Sequence, residues 1–335
     1  MHKAVTDIKK ILILHSALSA NETRAEEQDT LLQVDVIKKT LLELNFSVHT
    51  LPFTLNLLTL KEQLEAHAPD VIFNLVESVD NGSQLTAIAP IALEQWGFAY
   101  TGCSGIAWAM SDQKLLAKQL LQSAGLPTAD YMDALYIFRN PHQQLSCPYL
   151  VKSTSEHSSL GLDKSSLASD CKTLGNIISD RQQRFGGTWF AERYVHGREF
   201  NLSMLGSKKQ PEIFPIAEIN FDSADNNEVR IVDYAAKWDK NAESYRRILP
   251  YFPNHTADAE LFNELRRLAL QCWKVFDLSG YVRVDFRVDD NGQPWILEIN
   301  TAPCLDPEAG FSLAAAKAGI HYPNLILKLL DIALR

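Results

Sequence analysis

The stretch Tyr281-Val282-Arg283-Val284-Asp285-Phe286-Arg287-Val288, its turn Asp289-Asp290-Asn291-Gly292, and its return Pro294-Trp295-Ile296-Leu297-Glu298-Ile299-Asn300-Thr301-Ala302-Pro303 decide the fold. The outgoing segment alternates strictly. Successive side chains of an extended chain point to opposite faces, so Val282, Val284, Phe286 and Val288 share one face and Arg283, Asp285 and Arg287 the other. Asp-Asp-Asn-Gly is a strong turn signal. The return strand puts Glu298 and Asn300 on one face, Leu297 and Ile299 on the other. Residues opposite each other on antiparallel strands share a face. A two- or four-residue loop therefore carries Asp285 to the face of Glu298 and Asn300, beside Arg283. Two carboxylates and an amide oxygen are hard ligands, too few to cage calcium. They suit Mg2+ (or Mn2+), which keeps phosphates and water in its shell. The competing reading is an amphipathic hairpin with a solvated acidic face.

Upstream, strands are expected at 148–152, 188–195 and 200–205. Helices are expected at 111–124, stopped by Gly125 and Pro127, at 258–276 and at 322–334. The N-terminal part has another character. Ile11-Leu12-Ile13-Leu14 and 71–76 are short apolar runs typical of buried parallel strands, and 46–51 is strand-like. Helical spacing falls between them, at 31–44 and 86–96. Such alternation implies an open parallel sheet covered by helices. The chain thus reads as α/β followed by α+β. Three lobes are expected: 1–105, 106–188 and 189–335.

The 335 residues are 46% hydrophobic and 22% charged, with a net charge of −9. This is ordinary for a globular protein with a full core. The acidic balance argues against nucleic-acid or anionic-membrane partners, which need a basic field. The five cysteines are scattered and form no CxxC pair. Neither a disulfide framework nor a zinc site follows, and a cytoplasmic location is expected. No apolar run approaches the ~18 residues of a membrane span.

Arg283-Val284-Asp285 followed by Leu297-Glu298-Ile299-Asn300-Thr301-Ala302-Pro303 resembles the metal-binding signature of the ATP-grasp ligases, above all the D-alanine–D-alanine ligase family. The resemblance implies an ATP-grasp fold: a parallel-sheet N-terminal domain and two α+β lobes enclosing ATP. It implies that Asp285, Glu298 and Asn300 bind magnesium at the ATP phosphates, that Leu297 lies at the nucleotide, and that Arg283 stabilises a tetrahedral intermediate. Other segments carry the same likeness. Ser111-Asp112-Gln113-Lys114 and Tyr149-Leu150-Val151-Lys152 resemble the segments whose lysines, here Lys114 and Lys152, reach the phosphates. In the loop 155–161, the hydroxyls of Ser158 and Ser159 would cover them. Phe190-Ala191-Glu192-Arg193-Tyr194-Val195 resembles the hinge strand at adenine. The backbone of Arg193, Tyr194 and Val195 would read the base, Glu192 would take its exocyclic amine, and Glu199 would accept from the ribose. Asp233-Tyr234-Ala235-Ala236-Lys237-Trp238 resembles a closing loop in which Lys237 contacts the transferred phosphate.

The implied activity is ATP-dependent joining of a carboxylate to an amine through an acyl phosphate, with amino-acid or peptide substrates. The family is often dimeric. The amino-acid half departs from the family pattern. The usual Gly-Gly-x-Ser-x-Glu after the first strand is replaced by His15-Ser16-Ala17-Leu18-Ser19-Ala20-Asn21-Glu22. Glu22, Glu26 and Glu27 are the candidates for its glutamate. Asn74-Leu75-Val76-Glu77-Ser78 stands where a His-Gly segment is usual. Cys304 replaces a Gly, and the gap to Ser312 is lengthened. Three readings stay open: a D-alanine–D-alanine ligase, a ligase of other amino acids or a short peptide, and a non-catalytic ATP-binding protein.

Overall fold

The computed structural model describes residues 4–17, 25–80, 82–156, 159–221, 229–232, 250–253 and 257–335, with backbone alone at 25–27. Strand β1 (Lys10–His15), helix α1 (Ala25–Glu43), β2 (Ser47–Pro52), α2 (Leu57–His67), β3 (Val71–Leu75) and α3 (Ile88–Trp96) come first. The strands form a parallel sheet in the order β2-β1-β3. All five residues of β3 are buried, as both faces of a covered parallel sheet require.

Helices α4 (Gly105–Asp112) and α5 (Lys114–Ser123) occupy the region where one helix was expected. Gln113, at φ −82° and ψ 91°, breaks it. The break places Lys114 at a helix start, where its amide has no intrahelical partner. That amide donates instead to Thr154 O at 2.8 Å.

The central lobe contains β4 (Tyr131–Asp133), α6 (Ala134–Arg139), β5 (Gln144–Ser153), β6 (Leu167–Asp170), α7 (Cys171–Phe185) and β7 (Trp189–Arg193). Its antiparallel sheet runs β4-β7-β5-β6. The central sheet therefore extends to Arg193, one strand beyond the expected boundary at 188.

The third sheet is built from β8 (Arg198–Ser207), β9 (Gln210–Ile213), β10 (Ala217–Ile219), β11 (Pro250–Tyr251), β12 (Gly280–Val288) and β13 (Pro294–Asn300), in the order β11-β10-β8-β12-β13 with β9 on β8. Helix α8 (Ala259–Val275) covers the apolar face. Val282, Val284, Phe286 and Val288 are buried there with Phe262, Leu265 and Leu268, and with Ala117 and Leu121 of α5. The last helices, α9 (Gly310–Lys317) and α10 (Tyr322–Ala333), turn back to the first lobe. Leu325, Ile326, Leu329 and Leu330 share a core with Ile11, Ile13, Val71 and Phe73. Among the described residues no helix is long and apolar enough to cross a membrane.

Candidate active site

The β12–β13 hairpin places the acidic residues, by a route the sequence pattern did not supply. Asp289 N donates to Gln293 O at 3.0 Å, so the loop proper is Asp290-Asn291-Gly292. Gly292 has φ 79°, the left-handed conformation that three-residue loops need. An odd loop would set Asp285 opposite Leu297. A bulge intervenes: Phe286 pairs with Ile296, then Asp285 with Glu298 and Arg283 with Asn300. The extra residue is Leu297. Its side chain lines the cavity, while Ile296 and Ile299 both enter the core. This corrects the expected loop of two or four residues and the expected placing of Leu297 on the face of Ile299, away from Glu298. Asp285 still shares a face with Glu298 and Asn300, because bulge and loop offset each other.

The cavity over this face has a volume of about 300 Å³. Its walls come from the central lobe and the third sheet. Lys114, Lys152, Ser159, Glu192, Arg193, Tyr194, Val195, Glu199, Arg283, Asp285, Leu297 and Glu298 all line it. Asn300 lies opposite Arg283 at the strand end, and its Oδ1 accepts Ala302 N at 2.9 Å. Ser158 and Lys237 lie outside the described residues.

Asp285 is 5% exposed. Arg283 grips it with two bonds, Nε to Oδ1 at 2.7 Å and Nη2 to Oδ2 at 2.8 Å. Asn201 Nδ2 adds a third, to Oδ1 at 2.7 Å. Burial pushes the Asp285 carboxyl up to about 6; Arg283 opposes this, and Glu298 and Glu199 add to it. Buried carboxylate oxygens crowded by other carboxylates favour a bound cation. Among the described residues no three His, Cys, Asp or Glu side chains are grouped to hold a metal by themselves. The donor set therefore fits an ion that takes much of its shell from phosphate and water, as Mg2+ does.

Lysines face these acids. Lys114 Nζ donates to Glu156 O at 2.8 Å, and burial lowers its pKa. Lys152 Nζ donates to Glu192 Oε2 at 2.6 Å. Lys118, 2% exposed on α5, pairs with the other oxygen of Glu192. Burial works to raise the Glu192 pKa, but the two ammonium groups outweigh it and hold the carboxyl below its usual range. Any contact of Glu192 with an exocyclic amine would share oxygens already used by Lys118 and Lys152. Glu199 pairs with Arg287 Nη2 at 3.0 Å.

A second polar group lies on the N-terminal side, next to the loop after Asn300. Gln33, 0% exposed, has Nε2 at 3.3 Å from both Asp29 Oδ2 and Glu77 Oε1. Its Oε1 accepts Leu305 N at 2.8 Å. Cys304 Sγ donates to Asp29 Oδ2 at 3.4 Å. Burial, reinforced by the Asp29 charge, pushes the Glu77 carboxyl up to about 8. Ser312, in the first turn of α9, donates its hydroxyl back to Leu305 O at 3.2 Å. Glu22 lies outside the described residues, as do the side chains of Glu26 and Glu27.

Sequence reasoning missed Asn201 and the Asp29–Gln33 pair. Asn201 had a signal: in β8, Glu199, Asn201 and Ser203 alternate with the buried Phe200, Leu202 and Met204. Asp29 and Gln33 had none, because their meaning depends on Glu77 and Leu305, far away in the chain.

Residues 120–331 match the family model described as "D-ala D-ala ligase C-terminus". The D-alanine–D-alanine ligase of Laribacter hongkongensis is 34% identical over 246 residues, covering 72% of this chain and 73% of that one. The chain belongs to the D-alanine–D-alanine ligase family. It is a ligase-type enzyme of that family, dependent on ATP and Mg2+. The uncharacterized protein y4sG of Sinorhizobium fredii is 28% identical over 277 residues, covering 81% of this chain and 76% of its own length. The D-alanine–D-alanine ligase structure from Bacillus anthracis superposes with a TM-score of 0.71 at 20% identity, covering 98% of each chain. That likeness carries the ATP-grasp fold.

Proposed function

We propose that this ligase joins amino acids, or an amino acid and a short peptide, through an acyl phosphate. The observation that carries this reading is the pairing of Asp285 with Glu298 and of Arg283 with Asn300, beside a cavity lined by Lys114 and Lys152. Asp285, Glu298 and Asn300 would hold Mg2+, which neutralises phosphate charge. Lys114 and Lys152 would bind phosphate oxygens as point charges. Val195, Leu297 and the hinge backbone at Arg193 and Tyr194 would seat the base, and Glu199 the ribose. Ser158, Ser159 and Lys237 would cover the transferred group.

A substrate carboxylate oxygen bonds to the γ-phosphorus as the bond to the bridging oxygen breaks, and ADP leaves. An amine nitrogen then bonds to the acyl carbon, loses a proton, and the carbon–oxygen bond to phosphate breaks. Arg283 would stabilise the oxyanion formed in that second step. Excluding water preserves the acyl phosphate.

The substrates are left open by the other half of the site. The Ser312 hydroxyl is tied to Leu305 O, Glu77 and Cys304 stand where the family pattern differs, and Cys304 meets Asp29. This favours amino acids or a peptide other than two D-alanines. The relative at 34% identity supports the second reading, D-alanine–D-alanine synthesis. The partners are thus small molecules, with a cytoplasmic location and a homodimer as further parts of the proposal. Phosphate release with MgATP should be screened across amino acids and dipeptides, with products identified by mass. Turnover of D-alanine alone would sink the first reading, and background release with D-alanine the second. Asp285→Ala should reduce any turnover at least about 10³-fold, because it removes charge needed in the transition state; near-normal turnover would sink the metal assignment.

A further inference from the structure

The loop after β3 reaches from the N-terminal lobe to the nucleotide side of the molecule. Val79 and Gly82 close a turn through reciprocal backbone bonds of 2.8 and 3.1 Å. Ser83 follows and is 4% exposed. Its hydroxyl donates to Ser155 O at 2.7 Å, and its amide donates to Glu156 Oε1 at 3.3 Å. Both acceptors belong to the segment 153–156, immediately after Lys152. The same segment anchors Lys114: Thr154 O accepts the Lys114 amide and Glu156 O accepts its ammonium, each at 2.8 Å. Four residues of the central lobe are thus clamped between α5 and the N-terminal lobe.

Ser83 is itself held. Thr86 Oγ1 lies 2.7 Å from Ser83 O and 2.8 Å from Asp112 Oδ2. Trp108 Nε1 donates to that same Asp112 oxygen at 2.8 Å. Thr86, Asp112 and Ser155 are 1%, 5% and 1% exposed. Water therefore does not compete for these bonds. Ser83 does not line the cavity, whereas Lys114, Lys152, Ser153 and Glu156 do.

We propose that Ser83 is a positioning residue for nucleotide binding: through Ser155 and Glu156 it fixes the segment that anchors Lys114. An ammonium has three donors. One is spent on Glu156 O, and this sets where the other two meet phosphate. Nucleotide affinity then depends on a hydroxyl of the lobe that does not touch the nucleotide. The inference rests on ATP occupying the cavity.

The test is calorimetric titration of the full chain with the magnesium complex of a non-hydrolysable ATP analogue. Ser83→Ala leaves Ser155 O buried and unpaired, and one such hydrogen bond corresponds to roughly a fivefold weaker Kd. The melting temperature should fall by no more than a few degrees, the effect of about one lost hydrogen bond in a chain of this length. Ser83→Thr keeps the hydroxyl and should restore affinity to within about twofold. Combining Ser83→Ala with Lys114→Ala should weaken binding no further than Lys114→Ala alone, because Ser83 acts through Lys114. Amide exchange in 153–156 should quicken in Ser83→Ala. Unchanged affinity in Ser83→Ala, or simple additivity with Lys114→Ala, overturns the inference. Should Ser83→Ala fail to fold, Ser83→Gly, which also lacks a side-chain donor, carries the same comparison, and wild-type affinity there overturns it equally. A wild-type chain that does not bind the analogue overturns the ATP assignment of the cavity and this inference with it.

Discussion

At the residue scale, Glu192 shows how the cavity balances buried charge. It is 2% exposed, and ammonium groups of Lys118 and Lys152 engage its two oxygens. Lys118 lies outside the cavity lining and is also 2.9 Å from Thr128 Oγ1. Its role is to share the neutralisation of Glu192, so that Lys152 is not wholly committed to it. Lys118→Met should cost about 2–4 kcal/mol, less than leaving a buried charge with no partner. It should also weaken nucleotide binding, because Lys152 alone must then serve Glu192. Melting temperature and nucleotide titration read the two effects; unchanged affinity would refute the shared role. Glu77 makes a different prediction. Its carboxyl is pushed up to about 8 by burial and by Asp29, against the hydrogen bonds of Gln33 and Thr30. The folded state holds this proton more tightly than the unfolded chain, whose glutamates titrate near 4.5. The group's contribution to stability is therefore complete below about 4.5 and is lost as pH rises towards about 8. Glu77→Gln removes the titration. Wild type should lose melting temperature relative to Glu77→Gln between pH 5 and pH 8, and parallel profiles would count against the assignment.

At the scale of elements, β12 was legible in the sequence and β13 only in part. Strict alternation from Val282 to Val288 survives folding because one face meets α8 and the other the cavity. The return strand breaks alternation at Leu297, and a bulge leaves no sign in a run of apolar residues. The helix expected at 111–124 forms from Lys114 to Ser123, and its start was misplaced for a related reason. Gln113 is an ordinary helix former, and the break reflects a tertiary bond from Lys114 N to Thr154 O. That Lys114, Lys152 and 192–195 line one cavity was legible only through family resemblance, since no local pattern marks a lysine at a strand end. The start of β12 also carries a constraint that alternation does not reveal. Gly280 has φ 72°, and a Cβ there would lie 2.5 Å from Gly102 O. Gly292, at φ 79° in the hairpin loop, has nothing within 4 Å of such a Cβ. Gly292→Ala should cost about 1–2 kcal/mol, the strain of the left-handed conformation alone. Gly280→Ala adds a backbone clash and should lower the melting temperature clearly further. Equal losses at the two sites would show that the loop of Gly102 yields freely.

For the whole molecule, the chain closes on itself. Strand β13 leads into a loop held by Gln33 of α1, and α10 then completes the core under β1 and β3. The N-terminal lobe is therefore built from both ends of the sequence, which the expected linear boundaries of 1–105 and 189–335 did not express. Ridges of apolar residues on α10 were visible at helical spacing, but the partner they cover was not, because periodicity marks a face and not its neighbour. The consequence is testable by truncation. Leu325, Ile326, Leu329 and Leu330 are 0–1% exposed. Burying each side chain stabilises by about 1.5–3 kcal/mol, so their loss approaches the ~5–15 kcal/mol that holds a typical domain folded. A chain ending at residue 321 should lose the N-terminal lobe while the third sheet keeps its own core of α8 and β12. Hydrogen exchange should then show 10–15 and 71–75 unprotected and 280–288 still protected. Protection retained at β1 and β3 would mean that the lobe stands without its C-terminal helix. The loop at Leu305, tied to Gln33, should loosen in the same variant, so carboxylate–amine ligation should fail even where nucleotide binding persists.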